Sequence, residues 1–115
     1  MLHPNAKLEE RTFTFAQQTV RYCQNLPKTL SNLEIAKQLV RSAGSVGANY
    51  IEANEACSKK DFLHRVKITR KEAKESEYWI RLTIPKTEEE ESQRRLLQEA
   101  CELRKIFSAI LIKCE

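Results

Sequence analysis

Hydrophobic residues recur along the chain at alternating spacings of three and four, which is the period of a helix with one buried face. No segment alternates with a period of two, so the pattern predicts no β-strand. Pro27, Pro85 and a polar stretch beginning at Ser58 interrupt the period, because proline cannot continue a helix interior. The pattern therefore predicts four helices, at about residues 7–26, 31–57, 59–84 and 87–113.

Each predicted helix carries one row of residues suited to a shared core. In chain order the rows are Leu8, Thr12, Phe15, Thr19, Tyr22 and Leu26; Leu39, Ala43, Val46, Tyr50, Ala53 and Cys57; Phe62, Val66, Thr69, Ala73, Ser76 and Ile80; and Leu96, Ala100, Leu103, Phe107, Ile110 and Cys114. The first row is widened by Phe13, Ala16, Val20 and Cys23. Similar lengths and short turns predict an all-α fold, an antiparallel up-down-up-down four-helix bundle that forms one domain, residues 1–115.

The helix starts are marked by residues that can cap them. Ser31 or Asn32 is expected to cap the second helix and Ser58 the third, since a short polar side chain accepts a hydrogen bond from the first turn. Thr87 and Glu90 have the spacing of a capping box at the start of the fourth helix.

Two glycines, Gly44 and Gly47, fall inside the predicted second helix. Their G-x-x-G spacing is shared by the phosphate-clamping loop of KH domains, but that loop needs strands around it. We therefore interpret both glycines as positions where another helix backbone comes close.

Composition narrows the class of protein. A chain of 115 residues, 41% hydrophobic, can fold around its own core without disulfides or metal. It has no apolar leader and no apolar run of about 18 residues, so we expect a cytoplasmic protein that does not bind a membrane. In that reducing compartment the four cysteines, Cys23, Cys57, Cys101 and Cys114, are expected to be buried thiols.

No pattern indicates catalysis. Asp61 and His64 have the spacing of half a di-metal site, but the further ligands that such a site needs are missing. The cysteines lack the close spacing of zinc ligands, and no recognisable motif places a histidine beside a thiol. We predict no catalytic residue, no cofactor and no metal.

The third predicted helix carries a basic row along one face, and the net charge of +4 permits nucleic-acid binding without requiring it. A row of cations can follow a phosphate backbone, and an aromatic ring at its end, here Tyr78, can stack on a base. The predicted nucleic-acid site consists of Lys60, His64, Lys67, Arg70, Lys71 and Lys74. The alternative is a solvated face opposite the four glutamates at residues 88–91, which we interpret as compensating the helix dipole.

Polar residues also flank the core rows of the second and third helices. They are Arg41, Ser42, Asn49, Glu52, Glu72 and Glu75. We predict structural roles for them, with Arg41 paired to Glu72 or Glu75, because a buried ion pair specifies the register between two helices better than it stabilises them.

The end of the fourth helix has more apolar residues than one buried face needs. Ile106, Leu111 and Ile112 therefore form a predicted interface with other copies of the chain. The alternative is that a folded-back N-terminus covers them with Leu2, His3 and Pro4.

Two stretches resemble a known family. Residues 41–53, RSAGSVGANYIEA, are similar to the signature of the bacterial four helix bundle protein family. Residues 60–63, KDFL, and 71–80, KEAKESEYWI, are similar to its second block. The family includes proteins encoded by intervening sequences in 23S ribosomal RNA genes, often labelled S23 ribosomal protein.

The resemblance implies an up-and-down bundle that assembles into a ring, typically a homopentamer. It also implies kinship with the accessory variability determinant of diversity-generating retroelements, a pentamer that binds nucleic acid and a reverse transcriptase. Two functions are therefore expected. The first is a non-catalytic, oligomeric, RNA-associated bundle, and the second is a scaffold for a protein such as a reverse transcriptase, without direct contact to RNA.

Overall fold

Four long helices make up the protein, for which the structure, a computed structural model, describes residues 6–114. The helices are α1 (Ala6–Gln24), α2 (Leu30–Asn54), α3 (Lys59–Leu82) and α4 (Glu90–Lys113), and a single 3-10 turn, Thr87–Glu89, precedes α4. No strand occurs among these residues. The predicted all-α four-helix bundle is therefore confirmed.

Each helix packs against its neighbours in the chain, and α1 meets α4 to close the bundle. The contacts of α2 with α3 and of α3 with α4 are the most extensive, and that of α1 with α4 is the smallest. Tyr50 of α2 and Phe107 of α4 also meet across the core, with ring centroids 5.4 Å apart. The core thus lies along the axis between all four helices.

The predicted core rows are almost wholly buried, but their edges differ from prediction. Phe13 and Val20 do not widen the buried face of α1, since 58% and 39% of their surfaces are exposed. Cys57 is exposed because α2 ends at Asn54. In α4 the last core position is Leu111, with Ile110 only half-buried, because a straight helix turns every 3.6 residues and drifts from a seven-residue repeat.

Hydroxyl groups fill several core positions without leaving polar atoms unpaired. Thr19 donates to the carbonyl of Phe15 at 2.7 Å, and Thr69 donates to that of Arg65 at 3.0 Å. Within residues 6–114 every buried side-chain nitrogen or oxygen has a hydrogen-bond partner. Such residues are small and satisfied by their own helix, so they let neighbouring helices approach closely.

One helix cap agrees with prediction and two do not. Ser58 caps α3 by accepting a hydrogen bond from the amide of Asp61 at 3.1 Å, as predicted. Thr29, rather than Ser31 or Asn32, caps α2, because the helix begins at Leu30. The capping box at Thr87 is also wrong, since a 3-10 turn occupies that position and forms no side-chain cap.

Asn32 joins the two turns at one end of the bundle. Its side chain is buried, and its amide nitrogen donates to the carbonyls of Pro27 at 3.0 Å and Ile84 at 2.9 Å. Its amide oxygen accepts from the backbone amide of Ile84 at 3.0 Å. The turn after α1 is thereby held to the turn before α4.

Asn32→Ala should lower the free energy of unfolding by about 2 to 4 kcal/mol, because it leaves backbone groups of both turns without partners. Urea denaturation of the two proteins measures the difference. The control is Ser31→Ala at the neighbouring exposed position, which should change stability by no more than about 0.5 kcal/mol. Equal stability of all three proteins would contradict the bridging role of Asn32.

The two glycines of α2 have different surroundings. A Cβ atom added to Gly47 would lie 2.9 Å from Oγ1 of Thr12, so the absence of a side chain lets α1 and α2 touch. A Cβ atom added to Gly44 would meet nothing within 4 Å. The predicted close approach of another helix is confirmed for Gly47. Within the bundle it is wrong for Gly44, although glycine at that position destabilises the helix by about 1 kcal/mol relative to alanine.

Gly47→Ala should destabilise the fold by about 1 to 3 kcal/mol, although alanine favours helix, because the added methyl group overpacks the contact with buried Thr12. The midpoint of thermal unfolding measures the effect. If the variant is as stable as the wild type, the contact between α1 and α2 is looser than the structure indicates.

Candidate nucleic-acid interface

Basic side chains from two helices surround a cleft between α3 and α4. Its volume is about 400 Å³, and it is lined by Lys67, Arg70, Lys71 and Lys74 of α3 and by Arg104 and Ser108 of α4. The lysines are exposed, whereas Arg70, Arg104 and Ser108 are half-buried. The arrangement combines exposed ammonium groups with two half-buried arginines.

The direction of α4 decides what lies opposite the basic row. Gln93, near the start of α4, donates to the carbonyls of Ile80 and Thr83 at the end of α3, both at 3.1 Å. The two helices are therefore antiparallel, and the middle of α3 lies beside the second half of α4. The glutamates at 88–91 lie at the other end of the contact, so they do not face the basic row. The rest of the alternative, a solvated face, stays a prediction.

Arg104 is the one cation of the cleft with a close acidic partner. Its Nε atom donates to Oε2 of Glu77 at 2.5 Å, and hydrogen bonding to Glu77 raises the pKa of the guanidinium. None of Lys67, Lys71 and Lys74 lies within 4 Å of a carboxylate oxygen of the described residues. Lys71 acts on the neighbouring Glu72 only through its charge, which lowers the pKa of that carboxyl, so no lysine of the cleft is held in an ion pair among the described residues.

The predicted nucleic-acid residues divide into two groups. The four from Lys67 to Lys74 line the cleft, while Lys60 and His64 are exposed nearer the start of α3 and do not line it. Tyr78 lies beyond the other end of the row, exposed, with its ring at 5.1 Å from that of Trp79 in an edge-on arrangement. Sequence reasoning missed Arg104 and Ser108, whose one signal is that each directly follows a core residue of α4.

The polar residues of α2 and α3 form a different contact from the one predicted. Arg41 is exposed and forms no ion pair with Glu72 or Glu75, which corrects the prediction. Instead the hydroxyl groups of Ser42 and Ser76 lie 2.9 Å apart in the buried contact of the two helices. A neutral pair serves there because burying two charges requires costly desolvation.

A second polar link joins α2 and α3 nearer the surface. Asn49 donates to the carbonyl of Ser45 at 2.9 Å and accepts a hydrogen bond from Arg65 at 3.0 Å. Glu52, about one helical turn after Asn49, is exposed. Asn49 thus has the structural role predicted for it, whereas Arg41 and Glu52 point away from the bundle.

The remaining candidate residues do not assemble into a reaction centre. Asp61 and His64 are both exposed, and within residues 6–114 no three histidine, cysteine, aspartate or glutamate side chains are placed to hold a metal ion. Burial raises the pKa of the Cys23 thiol to about 11, while Cys57 is exposed, contrary to the expectation of buried thiols. None of the helices, as far as they are described, is long and apolar enough to cross a membrane.

The apolar end of α4 is less exposed than predicted. Ile112 is 72% exposed and Ile106 is half-buried, but Leu111 is only 4% exposed and belongs to the core of its own bundle. Leu111 is therefore removed from the predicted interface. Leu2, His3 and Pro4, the alternative cover, lie outside the described residues.

Residues 5–109 match the model of a family described as 23S rRNA-intervening sequence protein. The chain belongs to this family. It is similar to the crystal structure of a protein of unknown function from the S23 ribosomal protein family of Bacteroides thetaiotaomicron, with a TM-score of 0.78 and 31% sequence identity over 90% of this chain and 96% of that chain. No curated protein matches the chain. The comparisons confirm the family and the fold.

The glutamates of the second family block interact with each other. Burial raises the pKa of Glu72, and a hydrogen bond to Glu75 raises it further. The folded state therefore binds a proton at Glu72 more tightly than the unfolded state, so the stability that this proton contributes is present at low pH. That contribution is lost as the pH rises above the usual value of 4.5 and through the raised pKa.

Glu72→Gln should raise the free energy of unfolding at pH 7, because the neutral amide removes a partly buried charge and can donate to Glu75, which an ionised Glu72 cannot do. The gain should shrink at pH 4, where Glu72 is largely protonated in both states. Urea denaturation at the two pH values measures both effects. An exposed control, Glu10→Gln, should change stability little at either pH, and a loss of stability in Glu72→Gln at pH 7 would refute the explanation.

Proposed function

We propose that this protein is a non-catalytic, self-associating helical bundle that binds unstructured RNA in the cleft between α3 and α4. One observation carries the proposal: four cations of α3 and Arg104 of α4 line a single cleft, and none of its three lysines forms an ion pair within 4 Å among the described residues.

The chemistry of the cleft suits a phosphate backbone. Neutralising phosphates with lysine and arginine releases bound counterions, which favours binding without any requirement for base sequence. Lys67 and Lys74 are two helical turns apart, about 10 Å along α3, so the row can contact more than one phosphate. Arg70 can donate two parallel hydrogen bonds to a phosphate from below, and exposed Tyr78 offers a ring for stacking.

Self-association completes the proposal. The family resemblance implies a ring, with a pentamer favoured, and exposed apolar side chains are available for contacts between copies. At the end of α4, Ile112 is 72% exposed and Ile106 is half-buried. Isolated exposed apolar residues are normal, so the ring that the resemblance implies carries this part of the proposal.

The same exposed residues support the second function, a scaffold for a protein such as a reverse transcriptase. The two functions differ in what they predict for the basic cleft. Direct RNA binding requires its charges, whereas a scaffold that contacts only protein does not. Absorbance at two wavelengths during size-exclusion chromatography shows whether nucleic acid accompanies the protein.

Replacing Lys67, Lys71 and Lys74 with glutamine should weaken binding to a short unstructured RNA. It should also make the slope of log affinity against log salt shallower by about 2, since each lost phosphate contact removes about 0.7. Fluorescence anisotropy at several salt concentrations measures both quantities.

The matched control replaces three exposed lysines outside the cleft, Lys7, Lys28 and Lys86, with glutamine. It removes the same net charge, so a purely non-specific attraction would weaken equally in both variants. The cleft is supported when the first variant loses clearly more affinity and slope than the control. An RNA affinity that is unchanged in the first variant, or equally reduced in both, would rule it out.

A further inference from the structure

Gly44 has no structural explanation among the described residues, 6–114. It lies in the middle of α2, it is exposed, and a Cβ atom there would meet nothing within 4 Å. Its backbone does not have the positive φ angle that would require glycine. A missing side chain that serves neither conformation nor internal packing is most useful where another backbone approaches from outside.

Uncharged side chains around Gly44 lie on the outer face of α2 without cover from the described residues. Exposed residues without charge follow the outer face of α2 at helical spacings: Leu33, Val40, Gly44, Ala48 and Ile51. Leu33, Val40 and Ile51 are 46%, 40% and 45% exposed. The row from Leu33 to Ile51 extends about 27 Å along the helix and is lowest at its centre, where Gly44 and Ala48 form a shallow groove.

The neighbouring helix enlarges this surface. Gly47 of α2 touches Thr12 of α1, so the exposed Phe13 and Val20 of α1 border the same outer side of the helix pair. A single helix contact about 10 Å wide would bury too little for a stable complex, which needs about 800 Å² on each partner. Both helices together provide a surface of a more suitable size.

Charged residues on the two sides of Gly44 and Ala48 have opposite sign. Lys37 and Arg41 precede Gly44, and Glu52 and Glu55 follow Ala48, all of them exposed. Lys37 has a surface contact with Glu34 at 3.3 Å, but Arg41, Glu52 and Glu55 have no ion pair among the described residues. The net charge of the face is thus basic before Gly44 and acidic after Ile51, with uncharged residues between.

This pattern is complementary to itself when one copy is reversed. Placing Gly44 of one copy against Ala48 of a second, antiparallel copy brings Lys37 opposite Glu55 and Arg41 beside Glu52. By symmetry each contact occurs twice. A parallel pairing would align like charges, which is unfavourable.

We propose that the outer face of α2 binds the same face of a second copy of this chain, antiparallel, about a twofold axis beside Gly44. Such an isologous contact pairs two copies and differs from the head-to-tail contact that closes a ring. The contact lies on α1 and α2, away from the basic cleft of α3 and α4. The experiments can therefore contradict the pairing without contradicting RNA binding, or contradict RNA binding without contradicting the pairing.

A charge swap tests the pairing and its direction. Arg41→Glu and Glu52→Arg should each weaken self-association at least tenfold, because each places like charges together twice. The double variant should regain most of the affinity, since every pair is reversed but remains complementary. Sedimentation velocity over a range of protein concentrations measures the association. Failure of the double variant to recover overturns the antiparallel pairing.

Gly44→Gln tests the groove at its centre. Glutamine favours the helix, and its Cβ atom would meet no described residue within 4 Å, so the melting temperature at low concentration should rise while the assembly mass measured by light scattering falls to half. The control, Thr87→Gln in the exposed turn before α4, should leave the mass unchanged. A wild type that stays monomeric, or a Gly44→Gln variant of unchanged mass, overturns the proposal. In the first case a different protein becomes the candidate occupant of the face.

Discussion

The close approach of α2 to its two neighbours is the constraint on which the rest of the bundle depends. On one side Gly47 lies against Thr12 of α1, and on the other the hydroxyl of Ser42 meets that of Ser76 of α3 at 2.9 Å. Small residues bring backbones together, and close-packed interiors do not tolerate an added methyl group easily. The positions of α1 and α3 relative to α2 are therefore set by residues that contribute little hydrophobic area.

Much of the fold follows from the sequence because a helical period states directly which residues share a face. The rows containing Val46, Val66 and Leu103 are buried as that period predicts. Partners across the bundle do not follow from it. Arg41 flanks its core row closely enough to suggest a buried ion pair, yet it lies on the exposed side, and two serines form the contact instead. Periodicity defines directions around one helix, whereas pairing depends on how two helices are rotated and shifted against each other.

The cleft is a second case in which the sequence predicts one helix face but not its partner on another helix. The basic row of α3 is visible in the sequence because its members recur at helical spacing, but Arg104 belongs to a distant segment and carries no such signal. Only the antiparallel contact of α3 and α4 brings it to Lys67 and Lys71 and removes the glutamates at 88–91 from their vicinity. The sequence therefore predicted the charge of the site but not its shape, and shape decides whether cations converge on a ligand.

The two glycines of α2 differ in what explains them: one is required by packing inside the bundle, and the other lies on its outer surface. Gly47 is required by a neighbour within the chain, and its neighbour Thr12 is buried. Gly44 is three residues away, so it lies about 60° around the helix from Gly47, on the solvent side, where no described residue explains it. A folding requirement alone would leave alanine there, because alanine gives the more stable helix. The outer face of α2 is therefore best understood as a contact surface, and its charge order, basic before Gly44 and acidic after it, makes a reversed copy of the same helix the partner that fits.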